Sequence, residues 1–252
     1  MRTLVVLPTY NEIFNIELML RTLNEVVPEC HVLVVDDGSP DGTAKRAHAV
    51  GSELGGVDVL ERRAKSGLGD AYRSGFAWGL ERGFDHFVEM DCDFSHDPKA
   101  LPTLFAAAEN HDLVVGSRYI KGGQIPNWRW SRRLLSRGGN EYASLVLGLK
   151  VADSTSGYRV YSATALEKID YKTVRADGYG FQIEMTYRAR SNGVSIIEVP
   201  VTFKDRVRGE SKMSKAIVIE ALGLVTTWGV ERLFAKYRER RRARRSSTQR
   251  AG

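Results

Sequence analysis

The segment His31–Thr43, HVLVVDDGSPDGT, is a continuous apolar run that ends on two aspartates. Gly38, Ser39 and Pro40 then turn the chain, and Asp41 or Thr43 can open a helix. An uninterrupted apolar run of this length predicts a strand buried on both faces. The same unit recurs on either side. Upstream, TLVVLPTYNE (Thr3–Glu12) is a strand stopped by Pro8, and Ile13, Ile16, Leu20, Leu23 and Val27 follow at helical spacing. Downstream, VDVLER, DHFVEMDCD and DLVVGSRY read as strands, with helices over Gly69–Glu81 and Pro98–Asn110. Strand and helix in alternation predict an α/β fold, a Rossmann-like and mostly parallel sheet flanked by helices. DSTSGYRVYSATALEKI and SIIEVPVTFKDR add further strands.

Ligands of such sheets sit at the carboxyl ends of the strands. Polar residues gather there: Pro8 to Glu12, Asp36 and Asp37, Asp91 and Asp93, Ser117 and Arg118. The position after the first strand reads PTYNE, without the G-x-G-x-x-G of a dinucleotide fold, and no Walker A loop follows. The D-x-D pair of MDCDFSHDP offers another way to hold phosphate. Carboxylates at i and i+2 of an extended segment share a face and repel unless a cation lies beside them. A hard divalent ion with oxygen ligands, bridging to substrate phosphates, is the natural occupant.

The chain has 252 residues and a net charge of +6, but Lys236–Arg250 holds eight basic residues and one acidic, so the remainder is near neutral. The basic character belongs to a tail, expected to be disordered, with an anionic membrane surface as its partner. Nucleic acid is not expected, because the strand-end carboxylates would repel it. Cys30 and Cys92 provide neither metal spacing nor a disulfide framework. No secretory leader and no span of about 20 apolar residues is read. Residues 214–235 read as amphipathic helix.

Taken together, PTYNE, VVDDGSPDGT, KSGLGDAYRSGF, MDCDFSHDP and GSRYIKGG resemble the family 2 glycosyltransferases of the GT-A fold. With SRGGN, DSTSGYR and RGESKM, in this order, the chain is similar over about residues 3 to 215 to polyprenyl (dolichyl) phosphate mannose synthases. The resemblance implies inverting transfer of mannose from GDP-mannose to polyprenyl phosphate. It implies that Pro8, Tyr10, Glu12, Val35 and Asp37 hold the nucleoside, with Cys92 touching the nucleotide sugar. Asp91, Asp93 and Ser95 would bind Mg²⁺ or Mn²⁺. Arg118, Arg132 and Ser136 would hold the acceptor phosphate, and Arg206 and Lys212 would close over the donor diphosphate. The catalytic set would be Asp91, Asp93, Arg118, Arg132, Arg206 and Lys212.

The expected organisation is a catalytic domain over 1–213, a membrane-proximal helical segment over 214–235 and a basic tail over 236–252. The protein is expected at the cytoplasmic face of a membrane, held peripherally or by a membrane-protein docking partner. Two alternatives stand beside this reading. One is a polyprenyl-phosphate glucosyltransferase using UDP-glucose, and the other is a non-enzymatic membrane or nucleic-acid scaffold. A processive polysaccharide synthase is not expected, since the Q-x-x-R-W signature of that family and the multiple spanning helices needed to extrude a polymer are not read. His96 is expected as an exposed loop residue rather than a ligand. Asp36 and Asp37 divide between capping a turn and facing a ribose. Trp128 and Trp130 divide between core and an amphipathic lid. Gln182 and Glu184, at the start of a helix, are candidates to line the site.

Overall fold

The computed structural model describes residues 1–205 and 220–234. Among them, seven strands form one sheet: β1 (Thr3–Thr9), β2 (His31–Asp36), β3 (Val57–Glu61), β4 (His86–Glu89), β5 (Leu113–Ser117), β6 (Arg159–Ser162) and β7 (Ile196–Pro200). Their order is β3-β2-β1-β4-β6-β5-β7. Neighbours are parallel except where β6 runs antiparallel between β4 and β5. The mostly parallel sheet is therefore as expected, while the insertion of β6 is not written in any local pattern. The helices are α1 (Ile16–Val26), α2 (Thr43–Leu54), α3 (Leu68–Glu81), α4 (Leu101–Ala108), α5 (Trp130–Leu147), α6 (Ala163–Ile169), α7 (Gly178–Ser191) and α8, described over 220–234.

Alternation along β1 sorts the core into two halves. Val5 and Leu7 enter a cluster with residues of α1, α2 and α4, whereas Leu4 and Val6 enter one with residues of α3, α6 and α7. Two glycines one turn apart let α3 lie directly on the sheet. A Cβ on Gly75 would stand 2.5 Å from Val6 Cγ1, and one on Gly79 would stand 2.5 Å from Leu4 Cδ2 and Phe87 Cε1. Overpacking of that kind destabilises a core by roughly 1–3 kcal/mol.

A third, smaller cluster joins Ala143 and Leu147 of α5, Leu149, Val151, Ile183 of α7 and Val225 of α8. The amphipathic segment expected over 214–235 is thus helical over 220–234 and packed by one face. Residues 236–252, Arg206 and Lys212 lie outside the described residues, and so do the expectations placed on them.

Candidate active site

The loops after β1 and β2 are laced together by side chains that the sequence places in PTYNE and DDGSPDGT. Asp36 Oδ1 accepts from Thr9 Oγ1 (2.9 Å) and Ser39 Oγ (2.6 Å), and its Oδ2 accepts from the Ser39 N–H (2.8 Å). Thr43 Oγ1 accepts from the Glu12 N–H, and Asp41 Oδ2 from the Ile13 N–H. Asp36 is therefore the turn cap. Asp37 is buried, and its Oδ1 lies 3.3 Å from Arg62 Nη1 without hydrogen-bond geometry on either side. Burial raises its carboxyl above the usual range, against the pull of Arg62. A buried carboxylate oxygen with no hydrogen-bonded partner is costly unless a ligand supplies one. Tyr10, half-buried nearby in sequence, has the Lys65 ammonium 4.5 Å above its ring. Pro8 is half-buried, and Glu12 accepts from Asn15 Nδ2 (2.8 Å). Val35 belongs to the strand beneath this loop. It is fully buried in the core beneath α3, where its side chain supports this loop.

The D-x-D segment also departs from its expected form. β4 ends at Glu89, and Cys92 and Asp93 lie in a turn rather than on an extended strand. Asp93 Oδ1 accepts from the Ser95 N–H (2.9 Å), and Phe94 takes a left-handed φ of 60°. The two carboxylates are thereby set apart in environment: Asp93 is buried and Asp91 is part-exposed. His96 is not an exposed loop residue. It is 4% exposed, stacks on Tyr158 at 4.9 Å, and its Nδ1 accepts from the Asp91 N–H (3.4 Å). The imidazole supports the turn from below.

Ser95 Oγ is buried and has no hydrogen-bond partner among the described residues. Two carboxylates and an open hydroxyl are hard oxygen donors, and they fit Mg²⁺ or Mn²⁺ completed by water and diphosphate. No group of three His, Cys, Asp or Glu gathers among the described residues.

Arg118, at the end of β5, is fixed by Asp153. Asp153 is fully buried, and it accepts from the Arg118 N–H (2.9 Å), Nε (2.7 Å) and Nη2 (2.6 Å). Burial pulls the guanidinium down, but Asp153 more than offsets this and holds it charged. Arg118 closes one part of a cleft of about 580 Å³, open in part to solvent, whose walls include Leu135, Ile183, Leu222 and Val225. Ser136 lines the same cleft and accepts from Tyr119 Oη (2.6 Å). Arg132 does not line it. Its guanidinium lies 3.8 Å above Trp128 and pairs with Asp205 at 2.9 Å. The two tryptophans separate: Trp128 is 8% exposed and lines the cleft, whereas Trp130 is 78% exposed.

Asp153 is the residue the sequence reading passes over. Its signal was present, since a buried arginine at a strand end requires a carboxylate and DSTSGYR opens on one. Asn140, 1% exposed, belongs with it: its amide bonds Ser136 O, Thr155 Oγ1, Ser154 Oγ and the Thr155 N–H. Glu184 is structural, accepting from the Ala176 N–H and from Arg188.

Neither thiol is poised for chemistry. Burial pushes Cys30 up to about 12 and Cys92 well above its ordinary value. The folded protein is expected to resist iodoacetamide at pH 8 and to take up two equivalents only after denaturation. Rapid labelling of the native protein would contradict the assignment of inert thiols.

The family model for glycosyl transferase family 2 matches residues 4–170. The undecaprenyl-phosphate mannosyltransferase of Micrococcus luteus is 51% identical over 230 residues, covering 91% of this chain and 95% of the relative. The polyprenol monophosphomannose synthase of Mycolicibacterium smegmatis is 47% identical over 231 residues, covering 91% and 87%. Among solved structures, glucosyl-3-phosphoglycerate synthase from Mycobacterium tuberculosis, in complex with Mn²⁺, UDP-glucose and glycerol 3-phosphate, superposes with a TM-score of 0.65 at 22% identity, over 90% of this chain and 79% of the other. The mannosyltransferase PcManGT from Pyrobaculum calidifontis, in complex with GDP-Man and Mn²⁺, gives 0.58 at 16% identity, over 93% and 75%. At these identities the structural likeness is one of fold.

Proposed function

The chain belongs to glycosyl transferase family 2, among the polyprenyl-phosphate mannose synthases, and we propose that it moves mannose from GDP-mannose to a polyprenyl phosphate with inversion at the anomeric carbon. Membership in an enzyme family removes the scaffold alternative. The observation that carries the substrate reading is the cleft, in which aliphatic walls end on one fixed, charged guanidinium. An isoprenoid phosphate has that polarity: an apolar chain and an anionic head. Arg118 uses Nε and Nη2 on Asp153, and among the described residues its Nη1 edge has no hydrogen-bonded partner. That edge and Ser136 are the groups offered to the acceptor phosphate, with Arg132 and Trp128 beside them.

In this reading Asp37 holds the nucleoside, next to Tyr10, and Asp91, Asp93 and Ser95 hold Mg²⁺ or Mn²⁺. The ion, when bound, neutralises charge on the departing diphosphate. The chain's own part is to position. A phosphate monoester is already anionic at neutral pH, with its second pKa about 6, so attack needs no general base. Arg118 fixes the acceptor for in-line approach, and the buried carboxylates fix the donor. Arg206 and Lys212 are proposed to close over the diphosphate.

We also propose a peripheral site of action at the cytoplasmic face of a membrane. Among the described residues no helix is long and apolar enough to cross one. Trp130, Leu134 and Leu145 of α5 and Leu233 and Phe234 of α8 are exposed. Leu135 and Leu222 are exposed too, and they line the cleft. The mouth of the cleft therefore shares residues with an apolar face, so an isoprenoid could enter without crossing water. Trp130→Ser with Leu145→Ser removes two side chains worth about 1.5–3 kcal/mol each when buried. The pair is expected to lower co-sedimentation with anionic vesicles at least about tenfold and to spare GDP-mannose binding. Unchanged vesicle binding would remove this face from the reading.

The reaction is tested by transfer of labelled mannose from GDP-mannose into an organic-extractable product. Label requiring both Mg²⁺ and added polyprenyl phosphate is expected. Label only from UDP-glucose would replace the donor.

A further inference from the structure

Helix α5 carries two adjacent glycines, Gly138 and Gly139, in the middle of its 18 residues. After proline, glycine is the least favourable residue inside a helix, because it gives up the most backbone freedom there. Elsewhere in this fold packing accounts for such a residue. A Cβ on Gly75 or Gly79 of α3 would run into the sheet, and one on Gly229 of α8 would run into Val146. Packing gives no such reason in α5. A Cβ built on Gly138 or on Gly139 meets no atom of the described residues within 4 Å. The two differ in what they face. Leu135, Ser136 and Gly139 line the cleft that ends on Arg118, and Leu135 and Ser136 stand four and three residues before Gly139, the spacing of one helix face. Ala143, four residues further along that face, is buried in one cluster with Ile183 and Val225, which are also cleft walls. The open space at Gly139 therefore belongs to the cleft, whose wall there is helix backbone. Gly138 is exposed and is not one of the lining residues.

Arg118 points to the ligand independently of the glycines. It is 8% exposed, Asp153 and Thr155 accept from its Nε and Nη2, and its Nη1 edge has no hydrogen-bonded partner among the described residues. Ser136 lies on the same cleft, and Gly139 is about 4.5 Å beyond it along the helix axis. What passes Gly139 is then the part of the acceptor bonded directly to its phosphate. Resting on the proposed acceptor reading, we infer that Gly139 is the contact for the first isoprene unit of polyprenyl phosphate, and that the missing side chain sets the width of the cleft at that unit. An isoprene unit carries a methyl branch and is thickest at the branch. A methyl group supplied by the protein at position 139 would compete for the same space.

The test is steady-state mannosyl transfer from GDP-mannose to polyprenyl phosphate in detergent, with Mg²⁺, by the wild-type protein, by Gly139→Ala and by Gly138→Ala. Alanine favours the helix at both positions, so both variants are expected to unfold at the same or a higher temperature. Gly139→Ala is expected to raise KM for polyprenyl phosphate about tenfold, the scale on which a fitted apolar pocket registers one methyl group. Its dissociation constant for GDP-mannose and its kcat at saturating lipid are expected to stay close to those of the wild type. Gly138→Ala is expected to keep all three. A gain in stability together with a loss of lipid affinity, at one glycine and not at its neighbour, is a pattern that a merely structural role does not produce. Equal rises in KM in the two variants would assign the pair to bending of α5 and overturn the inference. An unchanged KM or a lower Tm in Gly139→Ala would overturn it as well. Failure of the acceptor reading is seen separately, in the wild type alone: mannosyl transfer that does not depend on polyprenyl phosphate would overturn that reading and take the inference with it.

Discussion

Asp93→Asn is expected to lower mannosyl transfer by about 10³-fold or more, the scale of losing a charge-stabilising group at the site of a developing anion. The asparagine is the sharper variant because the proposed function gives Asp93 a second task beside the turn it closes. Its Oδ1 closes the turn by accepting from the Ser95 N–H, at 2.9 Å, and an amide oxygen can do the same. What the amide lacks is the charge. Fold and charge are thereby separated, and thermal unfolding of Asp93→Asn should stay within a few degrees of the wild type. Asp91→Ala, at the more exposed of the two carboxylates, is expected to abolish transfer as well. Near-normal turnover by either variant at saturating Mg²⁺ would remove these residues from metal and diphosphate binding.

The second large effect is expected at Asp153, through stability. Asp153→Ala leaves Arg118, 8% exposed, as a buried cation whose carboxylate has gone. Breaking a buried ion pair from one side typically costs about 3–5 kcal/mol. Arg118→Met alone should also destabilise, because Asp153 would keep its charge with no exposure at all. Removing both, in Arg118→Met with Asp153→Ala, is expected to recover much of the lost stability, since neither charge is stranded. Activity should not return with it, and the double variant should need far more polyprenyl phosphate for half-saturation. Thermal unfolding together with KM for the lipid acceptor reads out both. Full activity in the double variant would show that the cleft does not hold the acceptor phosphate.

Much of this architecture is legible in the chain because parallel strands buried on both faces leave uninterrupted apolar runs, and β1, β2 and β5 show them. The carboxylates at strand ends were legible for the same reason, since charge can follow such a run only where the chain leaves the core. Three features were not. The turn at Cys92–Asp93 depends on Phe94 adopting a left-handed backbone, which no spacing announces. His96 is buried by Tyr158 and Phe203, residues far along the chain that reach it only through the fold. The Arg118–Asp153 pair joins positions 35 residues apart, and each looks like a solvent-exposed charge until the loop after α5 is in place. Val35 was read in two ways. Its place in the strand pattern already gave it to the core, and the resemblance alone assigned it to a ligand.

The antiparallel strand β6 has a consequence for how this protein can be made. During synthesis, β4 and β5 are complete well before Arg159–Ser162 leaves the ribosome, yet β6 lies between them and pairs with both. Until then β4 presents one open edge and β5 two, each a template for pairing with the wrong strand. A fragment ending in α5 would hold the loops after β1, β2 and β4 and still carry three unsatisfied edges, one on β4 and both on β5. The donor half is therefore not a separable module, and an enzyme of this design can be diversified by changing its loops but not by recombining halves cut before residue 162.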